Sequence, residues 1–177
     1  VSALTFSQSP TPTISGTPTT GQVLSLIAGI WDSGTVLKYQ WNRGGTPILG
    51  ATAVNYSLSS ADVGMPISVT VTATKTGHEP LSRVSNATSP VVQAVFASTP
   101  EPIISGSPLL ASKLTATWAA WDAGVATTYR WKRNGVSIPG AIFATYTTVT
   151  ADIGAILTFE ITGSKTGYTT VVKSSQP

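Results

Sequence analysis

The residues that could carry acid–base or nucleophilic chemistry are few in this chain. Of its 177 residues, seven are acidic and one is a histidine. Hydrolytic catalysis needs two carboxylates at a set separation, or a nucleophile beside a base. Four of the acids instead sit in turn-like sequence, where an aspartate side chain accepts hydrogen bonds from nearby backbone N–H groups: Asp32, Asp62, Asp122 and Asp152. We therefore predict no catalytic residues and expect that the chain is not an enzyme.

Metal and cofactor chemistry has as little support in the sequence. The chain has no cysteine, and His78 is its only histidine, so the usual ligands of zinc and other transition metals are missing. Calcium requires clustered oxygen ligands, and phosphate groups are held by glycine-rich loops; the sequence contains neither pattern. We predict no metal site and no cofactor.

The elements that position these residues occur twice. Trp31-Asp32-Ser33-Gly34 returns 90 residues later as Trp121-Asp122-Ala123-Gly124, and the motif that begins at Tyr39 returns at Tyr129. The offset holds without an insertion from Phe6/Phe96 to Ser85/Ser175, and roughly a third of the aligned positions are identical, which indicates two copies of one structural unit. The sequence therefore predicts two domains, residues 1–94 and 95–177.

Each copy has the pattern of short strands separated by turns. Residues 37–43 and 67–74 alternate between apolar and polar side chains, which is typical of strands with one buried face. Turn signals recur about every 8–12 residues and no amphipathic helical stretch competes with them, a pattern that describes a β-sandwich. We predict an all-β fold with about seven strands in each copy and no disulfide.

The motifs also resemble those of a known family. A tryptophan on the third strand, a tyrosine on the fifth and an Asp-x-Gly corner before a long alternating strand resemble the immunoglobulin-like (Ig-like) fold. The finer pattern, Tyr-x-Trp-x-Arg, Ile-x-Gly-Ala, Asp-x-Gly and Lys-Thr-Gly-(His/Tyr), is similar to tandem Ig-like repeats of actinobacterial secreted and cell-surface proteins. The inter-sheet cysteines are missing, and Pro66 and Ile156 replace the tyrosine expected after the corner. The resemblance implies two tandem Ig-like β-sandwich domains in a larger extracellular protein, and it implies no specific ligand.

Charge and hydropathy exclude two classes of partner. The net charge of +3 is spread over both copies, which is too weak for an electrostatic footprint on nucleic acid. No apolar run approaches the roughly 18–20 residues that a membrane span needs. We expect no nucleic-acid partner and no membrane insertion.

The aromatic residues supply the candidate binding site. Trp41 and Trp131 lie on the apolar face of an alternating strand, so we predict core packing for both. Trp31 and Trp121 open the repeated Trp-Asp-x-Gly turn, where they either plug one end of the sandwich or offer an exposed platform for a sugar ring. Trp118 has Ala28 as its counterpart, and because it is not shared by the two copies it is the leading ligand-binding candidate. The candidate ligand-binding residues are thus Trp118, Trp121 and Trp31.

The histidine needs no chemical role. His78 aligns with Tyr168, and a position that accepts either ring is typical of an aromatic side chain that packs in a turn. We therefore expect His78 to be a packing residue.

Two hypotheses about function follow. The junction at residues 89–96 is short and apolar, which favours a semi-rigid connection over a flexible tether. The first hypothesis is a non-enzymatic spacer, stalk or adhesion module whose partners are neighbouring domains of the same polypeptide. The alternative is a carbohydrate-binding accessory region of a secreted polysaccharide-active enzyme, with a surface glycan or a host or cell-wall polymer as partner. Because no signal peptide opens the sequence and Val1 aligns with Val91, we expect a piece of a larger exported protein, outside the cell or at the cell wall.

Overall fold

A computed structural model describes residues 3–177. The chain divides into two compact units, unit 1 (Val1–Ala94) and unit 2 (Val95–Pro177). Regular structure in the described part is almost all antiparallel strand, and the helical residues there belong to two short 3-10 turns. The predicted all-β fold without cysteine is therefore confirmed.

The strands of unit 1 form two sheets. They are β1 (Thr13–Ser15), β2 (Val23–Ile27), β3 (Val36–Arg43), β4 (Thr46–Pro47), β5 (Asn55–Ser57), β6 (Ile67–Thr74) and β7 (Leu81–Val84). One sheet has the order β1-β2-β5 and the other the order β4-β3-β6-β7. A 3-10 turn at Ser60–Asp62 leads from β5 towards β6.

Unit 2 repeats this topology. Its strands are β8 (Ile103–Ser105), β9 (Lys113–Thr117), β10 (Ala126–Arg133), β11 (Val136–Ser137), β12 (Thr145–Thr147), β13 (Leu157–Ser164) and β14 (Val171–Ser174). The sheets have the orders β12-β9-β8 and β11-β10-β13-β14, with a 3-10 turn at Thr150–Asp152. Equivalent residues in the two units therefore occupy equivalent elements.

The hydrophobic pattern of the sequence determines which face of each strand is buried. In β6, buried and half-buried residues alternate along all eight positions. β6 pairs with β3 along the whole length of both strands, and β13 pairs with β10 in the same way. Because side chains alternate across a strand, one apolar set faces the core and a polar set faces away.

Each unit has its own core, and a tryptophan of the third strand lies at its centre. Trp41 and Trp131 are fully buried, as predicted from the alternation. Their indole N–H groups donate to the carbonyl oxygens of Ala53 at 2.8 Å and Phe143 at 2.9 Å. A buried indole needs such a partner, and with it each ring adds a large apolar area to a small core.

The turn chemistry predicted after the third strand is present in both units. Asn134 and Gly135 have φ values of 48° and 79°, and Gly44 and Gly45 have φ values of 52° and 83°. A two-residue hairpin of the type that fits strand twist needs positive φ at both central residues. Asparagine and glycine tolerate that backbone region best.

The last residues of unit 1, 88–94, pack along that unit, and we call them the closing segment. Val91 is buried and forms a parallel bridge with Val63. Main-chain hydrogen bonds hold Val91 and Val92 on both sides: Val91 N–H to Met65 C=O at 3.0 Å, Gly64 N–H to Val91 C=O at 2.8 Å, Val92 N–H to Pro18 C=O at 2.9 Å and Thr20 N–H to Val92 C=O at 3.0 Å. Residues 89–94 of the apolar junction are thus part of the fold of unit 1.

Among residues 3–177, no helix is long and apolar enough to cross a membrane.

Candidate functional site

Trp31 lies in the loop between β2 and β3 of unit 1. Only 8% of its surface is exposed, and it belongs to the hydrophobic core of that unit. Its indole N–H donates to the Ala28 carbonyl oxygen at 3.0 Å, and the Phe6 ring packs edge-on against it at 5.8 Å. Both the ring and the N–H group of Trp31 therefore make their contacts within unit 1.

Trp121 occupies the equivalent loop of unit 2 and packs against a glycine of β13. A Cβ atom built at Gly163 would lie 2.3 Å from Cζ3 of Trp121, so the indole sits where a larger residue would be. Phe96 packs edge-on against it at 6.0 Å. Its buried N–H has no hydrogen-bond partner among the described residues, an arrangement that costs about 1–3 kcal/mol.

Trp118 comes directly after β9 and is half-buried. Its ring stacks on Phe159 with centroids 5.6 Å apart and lies 4.8 Å from the Tyr129 ring. It therefore packs against the core of unit 2, and only part of its surface is open to a ligand. The structure places Trp118 and Trp121 at the same unit and Trp31 at the other.

The differences between the two units at these positions are correlated. Unit 1 has Ala28, Val69 and Ala73 where unit 2 has Trp118, Phe159 and Gly163. Unit 2 thus has two additional large rings, Trp118 and Phe159. It lacks the methyl group of Ala73, and a methyl group at Gly163 would collide with Trp121. Because protein interiors are closely packed, an added ring requires space elsewhere. Trp118 is thus one member of a repacked aromatic core.

The repeated aspartates of the Trp-Asp-x-Gly turn hold the entry segment of each unit. Asp32 accepts hydrogen bonds from the backbone N–H groups of Ser7 and Gln8, both at 2.8 Å. Asp122 accepts the equivalent bonds from Ala97 at 2.7 Å and Ser98 at 3.0 Å. These carboxylates accept hydrogen bonds from backbone N–H groups, but the partners lie 24 and 25 residues away and not, as the sequence predicted, in the turn itself.

The repeated aspartates of the Asp-x-Gly corner form buried ion pairs. Arg43 Nε donates to Asp62 Oδ1 at 2.6 Å, the Tyr56 hydroxyl lies 3.0 Å from the same oxygen, and the Ser59 N–H donates to Oδ2 at 2.7 Å. Asp62 is fully buried. This group of side chains, which we call the Arg–Asp–Tyr cluster, ties the corner to β3 and β5.

Unit 2 contains the same cluster with one hydroxyl fewer. Arg133 Nε donates to Asp152 Oδ1 at 2.6 Å, the Tyr146 hydroxyl donates to Oδ2 at 2.8 Å, and the Val149 N–H donates to Oδ2 at 2.7 Å. Val149 stands where unit 1 has Ser59, so the hydroxyl contact to the carboxylate is absent. The contacts that the carboxylate makes with the arginine and with the backbone N–H are the same in both clusters.

The clusters stabilise charge within the protein. Burial alone raises the pKa of the Asp62 carboxyl, but the Ser59 N–H and the Arg43 guanidinium outweigh it, so the pKa lies below its usual value of 3.8. The pKa of Asp152 is lowered in the same way, burial being outweighed by the Val149 N–H and Arg133. Carboxylates that remain ionised and accept several hydrogen bonds do not serve as general acids.

The sequence contains a signal for this cluster. Arg43 alternates with Tyr39 and Trp41, so a cation lies on the face of β3 that carries the core residues. A charge on that face needs a counter-ion, and the aspartate of the Asp-x-Gly corner is the next repeated acid along the chain. Only the fold shows that Tyr56 joins the pair.

The remaining titratable groups also have packing or surface roles. The rings of His78 and Phe6 lie 5.3 Å apart, and the equivalent Tyr168 stacks on Phe96 at 5.0 Å, as expected for a turn-packing position. Glu160 forms an ion pair with Lys132 across β10 and β13. No group of three or more histidine or acidic side chains that could hold a metal occurs in the described ranges.

Comparison with known proteins does not assign a family. No family model matches the chain, and no curated protein matches it. A solved structure with similarity is a Ca²⁺-stabilised adhesin that helps an Antarctic bacterium reach out and bind ice; the sequence identity is 14% and the TM-score is 0.40. The match covers 95% of this chain and 48% of the adhesin chain, so this chain spans about half the length of that protein.

Proposed function

We propose that this chain is a non-enzymatic extracellular module built from two tandem Ig-like β-sandwich domains. It acts as a spacer, stalk or adhesion region of a larger secreted or cell-surface bacterial protein. The Ig-like part of the proposal is supported by the repeated motifs and by the pairing of a three-stranded with a four-stranded sheet around one core in each unit. The cell-surface context is supported by the family that those motifs resemble.

The closing segment is the observation that carries the proposal. Residues leading out of unit 1 are hydrogen-bonded to it up to Ala94, whose N–H donates to Thr20 Oγ1 at 2.9 Å. Val91 is buried in the core of unit 1. A linker of this kind leaves few free backbone torsions between consecutive units, which suits a spacer better than a Gly/Ser-rich tether does.

The non-enzymatic part rests on how the acids are used. The four repeated aspartates are bound to backbone N–H groups, and two of them also bind an arginine. The same residues in both units thus have a structural role. This supports a non-enzymatic module that acts as a spacer or as a binding surface.

Small-angle X-ray scattering tests the spacer role. The matched control is a chain with a flexible Gly-Ser insertion between Ala94 and Val95, where the two units divide. We expect the native chain to give a narrow distribution with an elongated maximum dimension, and the insertion to broaden it. Identical profiles for the two chains, or a compact native profile, would contradict the spacer proposal.

The alternative, a carbohydrate-binding accessory region of a polysaccharide-active enzyme, has one observation in its favour. Trp118 is present in one unit only and keeps part of its ring exposed. Aromatic rings bind sugars by stacking, so we test binding to insoluble polysaccharides with the native chain and with Trp118→Ala, which recreates the Ala28 of unit 1. Binding that depends on Trp118 supports the alternative, whereas equal or absent binding in both chains removes it.

A further inference from the structure

An apolar groove is open on the surface of unit 2. Its volume is about 560 Å³, and it lies between the turn that precedes β9 and the corner that follows Asp152. Four of its aliphatic side chains are largely exposed: Leu109 at 67%, Leu110 at 56%, Ile153 at 69% and Ile156 at 57%. Contiguous exposed apolar surface of this kind marks a binding site more often than single exposed residues do.

The same groove is filled in unit 1. There the closing segment lies along the corner, and Val91 is only 1% exposed. Parallel bridges join Val63 to Val91 and Thr19 to Val92. The groove of unit 2 is thus the place where the other copy of the same fold holds an extended strand.

The backbone groups that hold this strand are repeated in unit 2. In unit 1, Val91 and Val92 are bound by Gly64 N–H, Met65 C=O, Thr20 N–H and Pro18 C=O. The residues at the equivalent positions of unit 2 all line the groove: Gly154, Ala155, Leu110 and Pro108. Within residues 3–177, the N–H groups of Gly154 and Leu110 have no hydrogen-bond partner.

The aspartates of the two buried ion pairs also differ in their exposure. Asp62 is 0% exposed in unit 1, whereas Asp152 is 8% exposed and contributes to the groove wall. The corner aspartate is thus slightly more exposed in unit 2, where no closing segment lies along the corner.

We propose that the groove of unit 2 is a strand-acceptor site, and that its occupant is an extended segment attached to Pro177 with the sequence pattern of residues 88–94. Pro177 aligns with Ala87, the residue before the closing segment, and it lines the groove. The strand pairs in parallel with the Ile153 corner and buries one aliphatic side chain where unit 1 buries Val91. This is strand addition, in which main-chain hydrogen bonds supply affinity and a pocket selects the side chain.

The lining indicates which strand fits best. Leu109 and Leu110 replace Thr19 and Thr20 of unit 1. Since Leu110 has no hydroxyl to accept the hydrogen bond that Ala94 N–H gives to Thr20 Oγ1 in unit 1, the far end of the strand is held in unit 2 by apolar contact.

Amide hydrogen exchange on an extended chain tests the proposal. The probe is the 177-residue chain followed by Thr-Ser-Pro-Val-Val-Gln-Ala, the sequence of residues 88–94. We expect the Gly154 and Leu110 amides to exchange at least about tenfold more slowly than in the native chain. The amides of Gly64 and Thr20, which are hydrogen-bonded in unit 1, serve as the protected reference in the same sample.

Two controls separate the outcomes. The same extension with aspartate in place of its first valine should give no protection, because the charge would have to enter an apolar pocket. No gain at Gly154 and Leu110, or an equal gain with the aspartate extension, overturns the proposal. The free peptide of the same sequence is the third arm. If it protects both amides and the attached segment does not, the occupant comes from another molecule and attachment to Pro177 is wrong.

Discussion

Asp62 is the single residue on which the polar interior of unit 1 depends most. It is fully buried and binds Arg43, Tyr56 and Ser59. Removing one partner of a buried ion pair leaves the other charge uncompensated. The arginine is 31% exposed, so water relieves part of that penalty.

We expect Asp62→Asn to lower the free energy of unfolding by about 3 kcal/mol, near the lower end of the cost of breaking a buried pair. Urea unfolding followed by tryptophan fluorescence measures it. Asp152→Asn is the matched variant, and its cost should be smaller because Asp152 is 8% exposed, against 0% for Asp62, and lacks the serine contact. Equal costs, or a cost near zero for Asp62→Asn, would show that the cluster is not a major source of stability.

Gly163 is the residue that decides how the aromatic core of unit 2 packs. It has no side chain where unit 1 has Ala73, and the Trp121 ring occupies the space. The glycine is therefore required by packing and not by its backbone, since it lies within β13 and its φ is not positive.

We expect Gly163→Ala to cost about 1–3 kcal/mol, the range for an overpacked core. The new methyl group would lie 2.3 Å from the indole, and either the ring or the strand must move. The reverse change in unit 1, Ala73→Gly, removes a buried methyl group and should cost about 1 kcal/mol. Unfolding curves for both variants check the pair, and a stabilised Gly163→Ala chain would contradict the packing described here.

At the scale of elements, the burial of the closing segment is the feature that the hydrophobic pattern of the sequence predicts least well. Residues 88–94 have no long alternating run, yet they bind unit 1 through both backbone and side chain. The two successive valines differ sharply: Val91 is 1% exposed and Val92 is 57% exposed. Two identical residues thus differ in burial, so the composition of the segment does not show which side chain enters the core.

We expect Val91→Asp to destabilise unit 1 by about 3 kcal/mol or more, because an unpaired charge would enter the core. Val92→Asp should change stability by less than about 0.5 kcal/mol, as surface substitutions usually do. Hydrogen exchange of the Gly64 amide, which donates to Val91, reports on the segment directly. Similar effects of the two substitutions would mean that Val91 is not buried in the core of unit 1.

At the scale of the whole molecule, each unit contains at least one carboxyl whose pKa is lowered in the folded state. Three carboxyls have a lowered pKa in the folded state: Asp32, through the N–H groups of Ser7 and Gln8, and Asp62 and Asp152, through the N–H groups and arginines that outweigh their burial. Below the usual value of 3.8, the unfolded chain therefore binds more protons than the folded chain. By linkage, the free energy of unfolding falls as the pH falls through this region.

We expect the urea midpoint to be nearly constant between about pH 7 and pH 5 and to drop steadily below about pH 4. Urea titrations across this range measure the profile. The Asp62→Asn, Asp152→Asn double variant should show a shallower drop, since two of the three groups no longer titrate. A profile that stays flat to about pH 2.5, or an unchanged slope in the double variant, would contradict the proton linkage.

Much of the fold could be predicted from the sequence, because its information is local. The alternation in β3 and β6 and the Asn134-Gly135 turn act through neighbouring residues, so the strands, their buried faces and the hairpin are recognisable. The identical spacing of two motifs further predicted that equivalent residues occupy equivalent elements. The aspartates were recognised as turn residues that accept hydrogen bonds from backbone N–H groups, but the partners of Asp32 and Asp122 lie 24 and 25 residues away, so only the fold identifies them.

Tertiary structure decided the roles of the residues that differ between the copies. The sequence marked Trp118 as unusual, but only packing shows that it accompanies Phe159 and Gly163 in one rearranged core. Likewise, a run of apolar residues at 89–96 predicted a stiff junction, and the fold shows that Val91 is a core residue of unit 1 while the equivalent groove of unit 2 is open. These contacts join residues far apart in the chain, so no local periodicity encodes them, and they arise only when the sheets are brought together.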